Sequence, residues 1–152
     1  MDTYTSLSPD QKILDILCAA AEAEQESVHF FGELIKLFKD GSDKENLRLI
    51  RIDEQRHEKY FCEIHKFITG STPVIAQRMP RGKLAGLTHG GELAQACEKA
   101  MYSALENVEF YRLIHSSFSN HNIRETLFEI MTDEQNIAIK MSHLYQKIRS
   151  TF

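Results

Sequence analysis

Four polar residues of this 152-residue chain occupy positions where the helical pattern calls for hydrophobic side chains: Glu24, Glu54, His57 and Glu134. Around each of them, apolar residues recur at alternating steps of three and four, which is the spacing of one buried helix face. Burying an unpaired carboxylate costs several kcal/mol. No lysine or arginine lies in these stripes to neutralise the three carboxylates. The residue types therefore indicate a bound divalent cation, since carboxylate and imidazole ligands suit iron, manganese or zinc.

Two short segments of the chain nearly repeat each other. IDEQRH, residues 52–57, and TDEQNI, residues 132–137, both carry Asp-Glu-Gln within an apolar helical pattern. In the first segment Glu54 and His57 stand three residues apart, so they share a helix face and can bind one ion together. In the second segment Ile137 takes the place of the histidine.

The apolar pattern along the chain predicts an all-α fold, an antiparallel four-helix bundle. The predicted helices lie near residues 9–39, 43–69, 91–118 and 122–150. Ser42 with Glu45, and Asn122 with Glu125, predict the N-terminal caps of the second and fourth helices. A loop-like link from 71 to 90 separates two hairpins, and at roughly 3.3 Å per residue it can cross a bundle about 30 Å long. Two hairpins joined by one long crossover form the ferritin-like arrangement.

The second hairpin repeats the first at a single offset. Phe31 corresponds to Tyr111, and the two Asp-Glu-Gln segments correspond to each other, in both cases at a separation of 80 residues. At the same offset the residue that corresponds to Glu24 is Ala104. The first hairpin therefore has polar residues at two positions, Glu24 and His57, where the second hairpin has apolar ones.

In these residues the chain resembles the rubrerythrin branch of the ferritin-like di-iron carboxylate proteins, over nearly its whole length. That family uses one glutamate from each of two helices and Glu-x-x-His from each of the other two. Glu24 matches the first of the single glutamates. Glu54 and His57 match the first Glu-x-x-His, and Glu134 matches the glutamate of the second. The resemblance implies that these four residues are metal ligands and that iron is the cofactor.

Two positions depart from the family pattern, Ala104 and Ile137, and both would have been ligands of the same second ion. The resemblance therefore implies one iron ion per chain rather than two, with manganese or zinc as alternatives. Glu106 could replace the ligand missing at Ala104 if a π-bulge turned it inward. In a regular helix it points roughly 200° away from the direction of residue 104.

The resemblance leaves three functions open, and with them the question whether the chain is an enzyme. The first is a di-iron-type oxidoreductase that reduces peroxide or oxidises ferrous ion. The second is a metal-binding protein with one ion and little turnover, and the third is a metal-free bundle with a vestigial site that acts as a structural or interaction module. We expect no rubredoxin-like segment, because the chain has no Cys-x-x-Cys pair, so an oxidoreductase would need an external electron donor.

Composition argues against several classes of partner. The formal net charge is −4, which gives no electrostatic reason to expect nucleic acid or an anionic membrane. Hydrophobic residues make up 42% and charged residues 26%, so we expect one globular domain over residues 1–152. The N-terminus lacks the pattern of a signal peptide, and no segment could span a bilayer, so we expect a cytoplasmic location and no membrane partner. The family resemblance adds the expectation of a homodimer.

Overall fold

A computed structural model describes residues 9–75 and 90–151 of the chain, and four α-helices make up most of these ranges. The helices are α1 (Pro9–Ile35), α2 (Gly41–Thr69), α3 (Gly90–Ser116) and α4 (His121–Thr151). No strand occurs within the described ranges. The predicted all-α four-helix bundle is confirmed. The predicted crossover falls mainly on residues 76–89, which lie outside the described residues.

The helices pack as two hairpins. α1 lies along α2 and α3 lies along α4, whereas α2 and α4 contact each other less and α1 and α3 touch only over a short stretch. α1 ends four residues before its predicted end. The residues that follow form backbone hydrogen bonds between residues i and i+3, which close a tighter turn than an α-helix does. One of them, 3.0 Å long, runs from the N–H of Leu37 to the carbonyl of Leu34. Such a final tight turn satisfies carbonyls that the end of an α-helix leaves free.

α2 begins at an aspartate rather than at the predicted serine. Asp40 has an extended backbone (φ −66°, ψ 128°), and its carboxylate accepts a 3.0 Å hydrogen bond from the N–H of Asp43. Ser42 already lies inside the first turn, so the prediction that it caps α2 is wrong. At the other end Gly70 adopts a left-handed conformation (φ 78°), and its N–H donates a 2.7 Å bond to the carbonyl of Lys66.

α4 begins in the same way, two residues before its predicted cap. The side-chain oxygen of Asn120 accepts a 3.1 Å hydrogen bond from the N–H of Ile123. The predicted cap Asn122 therefore lies within the first turn, and this prediction is wrong as well. The earlier start lengthens the helix and places Ile123 in the core, where 7% of its surface is exposed.

The bundle core consists of two apolar layers, one toward each end. One layer contains Phe31, Ile50 and Ile137, and the other contains Phe61 and Ile130. The four polar stripe residues lie along the helices between these two layers. Apolar side chains thus exclude water above and below the polar residues, and electrostatic interactions between them are stronger than in water. None of the described helices combines the length and apolarity needed to cross a bilayer.

Candidate metal centre

The four polar residues predicted from the stripes meet at one level of the bundle. Glu24 comes from α1, Glu54 and His57 from α2, and Glu134 from α4, and at most 2% of each is exposed. One donor atom from each residue lies within 4.8 Å of the donor atoms of the other three. α3 contributes no ligand atom to this cluster, because its corresponding position is Ala104.

The imidazole of His57 faces all three carboxylates through one nitrogen. Its Nδ1 lies 3.5 Å from Glu54 Oε1, 3.5 Å from Glu134 Oε1 and 3.8 Å from an oxygen of Glu24. These separations are longer than ordinary hydrogen bonds between nitrogen and oxygen. Two ligand atoms that each lie roughly 2.1 Å from one ion are about 3.0 Å apart when they bind at right angles to each other. They are about 4.2 Å apart when they bind on opposite sides of the ion. The spacing therefore fits four ligands of a shared ion.

The donor atoms of the cluster have no hydrogen-bond partner. They are Glu24 Oε2, Glu54 Oε1, His57 Nδ1 and Glu134 Oε1, all of them buried. Buried polar side-chain atoms in native proteins nearly always have a partner, so four neighbouring exceptions call for an explanation. Three carboxylate oxygens and one imidazole nitrogen are a suitable donor set for a divalent iron, manganese or zinc ion. The residues present therefore fit a metal ion.

Burial and mutual repulsion make the cluster hold protons when no cation balances its charge. Burial, followed by the charges of Glu24 and Glu134, raises the pKa of Glu54 well above its usual range. Burial and the charge of Glu24 raise the pKa of Glu134 to about 7. Burial alone would lower the pKa of His57, but the three carboxylates around its Nδ1 outweigh burial and raise it. A cation that binds here must displace these protons, so metal binding depends on pH.

Asp133 holds the far side of the imidazole. Its Oδ2 lies 2.9 Å from the Nε2 of His57 and also accepts a 2.7 Å hydrogen bond from Arg56. In a neutral imidazole an Nε2–H that donates to this carboxylate leaves the lone pair of Nδ1 directed into the cluster. Sequence reasoning missed Asp133, although a signal was present, because it precedes Glu134 just as Asp53 precedes Glu54 in the repeat.

Tyr111 supports the cluster from α3. This residue is fully buried, and its hydroxyl donates a hydrogen bond to Glu24 Oε1, which leaves the other oxygen of Glu24 to face the cluster. Burial and the charge of Glu24 raise the pKa of Tyr111 well above its usual range, so the phenol keeps its proton. The corresponding residue in the first hairpin, Phe31, has no hydroxyl, and the residue that corresponds to Glu24 is Ala104. At the positions that the repeat relates to Tyr111 and Glu24, the hydroxyl and the carboxylate are therefore both absent.

The remaining candidate for the second half, Glu106, does not join the cluster. α3 is a regular α-helix at this point, and Glu106 is exposed. Ala104 and Ile137, which correspond to Glu24 and His57 in the repeat, are 3% and 1% exposed and belong to one of the apolar layers. Within the described residues, the cluster therefore consists of Glu24, Glu54, His57 and Glu134 alone.

Comparison with known proteins gives the fold but no function. No protein-family model matches the chain, and no curated protein matches it. A solved structure of a hypothetical protein from Pyrococcus furiosus is similar to this chain, with a TM-score of 0.81 and 16% sequence identity over 95% of this chain and 94% of that one. At this identity the similarity concerns the fold alone. The chain is a four-helix bundle whose buried carboxylate–histidine cluster is compatible with a ferritin-like metal site.

Proposed function

We propose that this chain is a rubrerythrin-like, non-haem iron-binding protein that takes part in peroxide or iron handling. Its ligands would be Glu24, Glu54, His57 and Glu134. The observation that carries the proposal is the convergence of four buried donor atoms, none of which has a hydrogen-bond partner. With a neutral imidazole, three carboxylates give the cluster a formal charge of −3, which a divalent cation would reduce to −1.

The proposal assigns one ion to each chain rather than two. Ala104 and Ile137 cannot bind metal, and Glu26 and Glu106 lie outside the buried cluster, so a second ion would share Glu54 and Glu134 with the first and gain no buried ligand of its own. Protein metal sites of this kind commonly have at least three protein ligands. One metal ion is therefore the occupancy that the residues support.

An iron ion supplies one-electron redox chemistry, and the chain supplies the environment of that ion. Asp133 orients the imidazole of His57, and the phenol of Tyr111 keeps its proton beside Glu24. Reduction of one peroxide molecule to two waters consumes two electrons and two protons. Because a single ferrous ion provides one electron, the proposal includes an external electron donor.

A second candidate is a metal-free bundle that serves as a structural or interaction module. It is supported by the raised pKa of His57, because an imidazolium would offset part of the negative charge of the cluster. Metal binding accounts for more of the geometry. A protonated Nδ1 would still lie 3.5 to 3.8 Å from the three carboxylates, too far for a good hydrogen bond to any of them.

Thermal unfolding with and without metal tests the proposal. Ferrous, manganous or zinc ion at about 100 times its dissociation constant should stabilise the protein by roughly 2.7 kcal/mol, or about 5–10 °C in melting temperature. A chelator should reverse the shift. Glu54→Ala should abolish it, whereas Glu63→Ala, which removes an exposed carboxylate from the same helix, should retain it. A wild-type melting temperature that none of these metals changes would favour the metal-free module.

A further inference from the structure

A cavity of about 300 Å³ reaches the candidate metal centre from the side of α1 and α3. Its lining includes Glu54 and Glu134 but neither Glu24 nor His57, so it approaches the cluster on one side only. Exposed residues such as Lys99 also line it, so the cavity opens to solvent.

The cavity lies on the half of the bundle that has lost its ligands, since Ala104 and Ile137 both line it. It could hold about ten water molecules at roughly 30 Å³ each, which is more space than one absent carboxyl group and one absent ion would leave. The separation of α1 and α3 provides the rest, because these helices touch only over a short stretch. Small residues, among them Ser27 and Ala100, line the gap on both sides.

Two acidic residues of the cluster also line this cavity. Glu54 and Glu134 are 2% and 1% exposed, and each has one side-chain oxygen with no hydrogen bond. These two oxygens lie 3.5 Å from Nδ1 of His57 and would bind the metal ion, so a ligand in the cavity would lie beside that ion. The volume falls at the lower end of the range for small-molecule sites, roughly 300 to 1,000 Å³.

The lining also limits the charge of a ligand. Among the described residues, four carboxylates line the cavity together with one ammonium group, that of Lys99; the carboxylates are those of Glu26, Glu54, Glu106 and Glu134. A divalent ion at the cluster would compensate the two buried carboxylates, but the excess of negative charge would still repel anions.

The walls between these charges are apolar. They include the rings of Phe30 and Phe31 and the side chains of Ala104 and Ile137. We propose that the cavity binds a small uncharged organic molecule, with its apolar body against these walls and a lone-pair nitrogen or oxygen atom directed at the metal ion. Such a molecule would occupy the space where the related di-iron sites have their second half. This inference rests on the proposed metal site.

Two imidazoles of different size test the inference on cobalt(II)-loaded protein. The visible bands of cobalt(II) report whether a nitrogen donor reaches the ion. 4-Phenylimidazole should bind about tenfold more tightly than imidazole or better, because its phenyl ring adds apolar surface against the walls at roughly 25 cal/mol per Å². Equal affinities for the two compounds would overturn the inference.

Variants that narrow the cavity provide the second comparison. Ala104→Leu should weaken 4-phenylimidazole binding about tenfold while the affinity for cobalt stays the same. Ser27→Leu should narrow the cavity from the opposite wall, where Ser27 is half-buried, and should weaken 4-phenylimidazole binding in the same way. It replaces Ala104→Leu in the experiment if that variant does not fold. Ala96→Leu is the matched control, since Ala96 is buried on α3 but does not line the cavity.

The outcomes separate this inference from the proposed function. Protein that takes up no cobalt would overturn both. Protein that binds cobalt but whose spectrum responds to neither imidazole would overturn the inference and leave the metal site standing. The inference would also be overturned, and the metal site left standing, if both narrowing variants fold and bind 4-phenylimidazole as tightly as the control.

Discussion

Raising the pH of chelator-treated protein tests whether the buried carboxylates hold protons in the absence of a cation. The pKa of Glu134 rises from its ordinary value of 4.5 to about 7, because of burial and the charge of Glu24. Between these two pH values the folded protein binds a proton that the unfolded chain has released. The free energy of unfolding therefore decreases as the pH rises through this window, and the stabilisation is lost above about pH 7.

The expected size of the effect follows from the same two pKa values. At 1.36 kcal/mol for each pKa unit, Glu134 alone should lower the free energy of unfolding by roughly 3 kcal/mol across the window. Glu54, whose pKa is also raised, acts in the same direction. His57, with a pKa raised from 6.5, loses its proton on unfolding above that pH, so the decline continues beyond neutrality.

Urea unfolding followed by circular dichroism at several pH values measures this slope. Glu134→Gln should make the slope smaller, leaving the contributions of Glu54 and His57, whereas Glu129→Gln, which removes an exposed carboxylate from the same helix, should leave it unchanged. With metal bound the trend should reverse, because the ligands must be deprotonated to bind. Chelated wild type whose stability is constant or increases from about pH 4.5 to about pH 7 would refute this explanation of the cluster.

Two further predictions concern the missing half and the support of the imidazole. Ala104→Glu with Ile137→His should raise the metal content from one ion per chain toward two, measured by elemental analysis, while each single change stays near one. Adding Phe31→Tyr should tighten the second ion, because its hydroxyl would supply the hydrogen bond that Tyr111 supplies in the first half. A folded double variant that still binds one ion would contradict the pseudo-twofold arrangement. Asp133→Asn should weaken metal binding about 10- to 100-fold in a chelator competition, and an unchanged affinity would exclude a positioning role.

The cluster was predictable because each of its members violates a local pattern. Glu24, Glu54, His57 and Glu134 stand in apolar stripes, and helical spacing alone places such residues on the buried face. The helix starts were less predictable. Either of two capping residues near each start could cap the helix, and the choice depends on how far the helix extends to bury apolar side chains, as Ile123 illustrates.

The apolar periodicity of the sequence could not predict which side chains contact each other between helices. Asp133 contacts His57 across the α2–α4 interface. Tyr111 donates a hydrogen bond to Glu24, although the two residues are 87 positions apart in the sequence. Such contacts depend on the rotation and separation of packed helices, which periodicity does not specify. The cavity beside Ala104 depends on the same separation, between α1 and α3.

The metal content of the purified chain tests the central proposal most directly. Wild-type protein from iron-supplemented cells, analysed by inductively coupled plasma mass spectrometry, should contain one iron ion per chain. His57→Ala should contain close to none, and His143→Ala, which changes a histidine of α4 outside the cluster, should match the wild type. Wild-type protein that carries no metal would contradict the proposed function, and two ions per chain would contradict the half-site on which it depends.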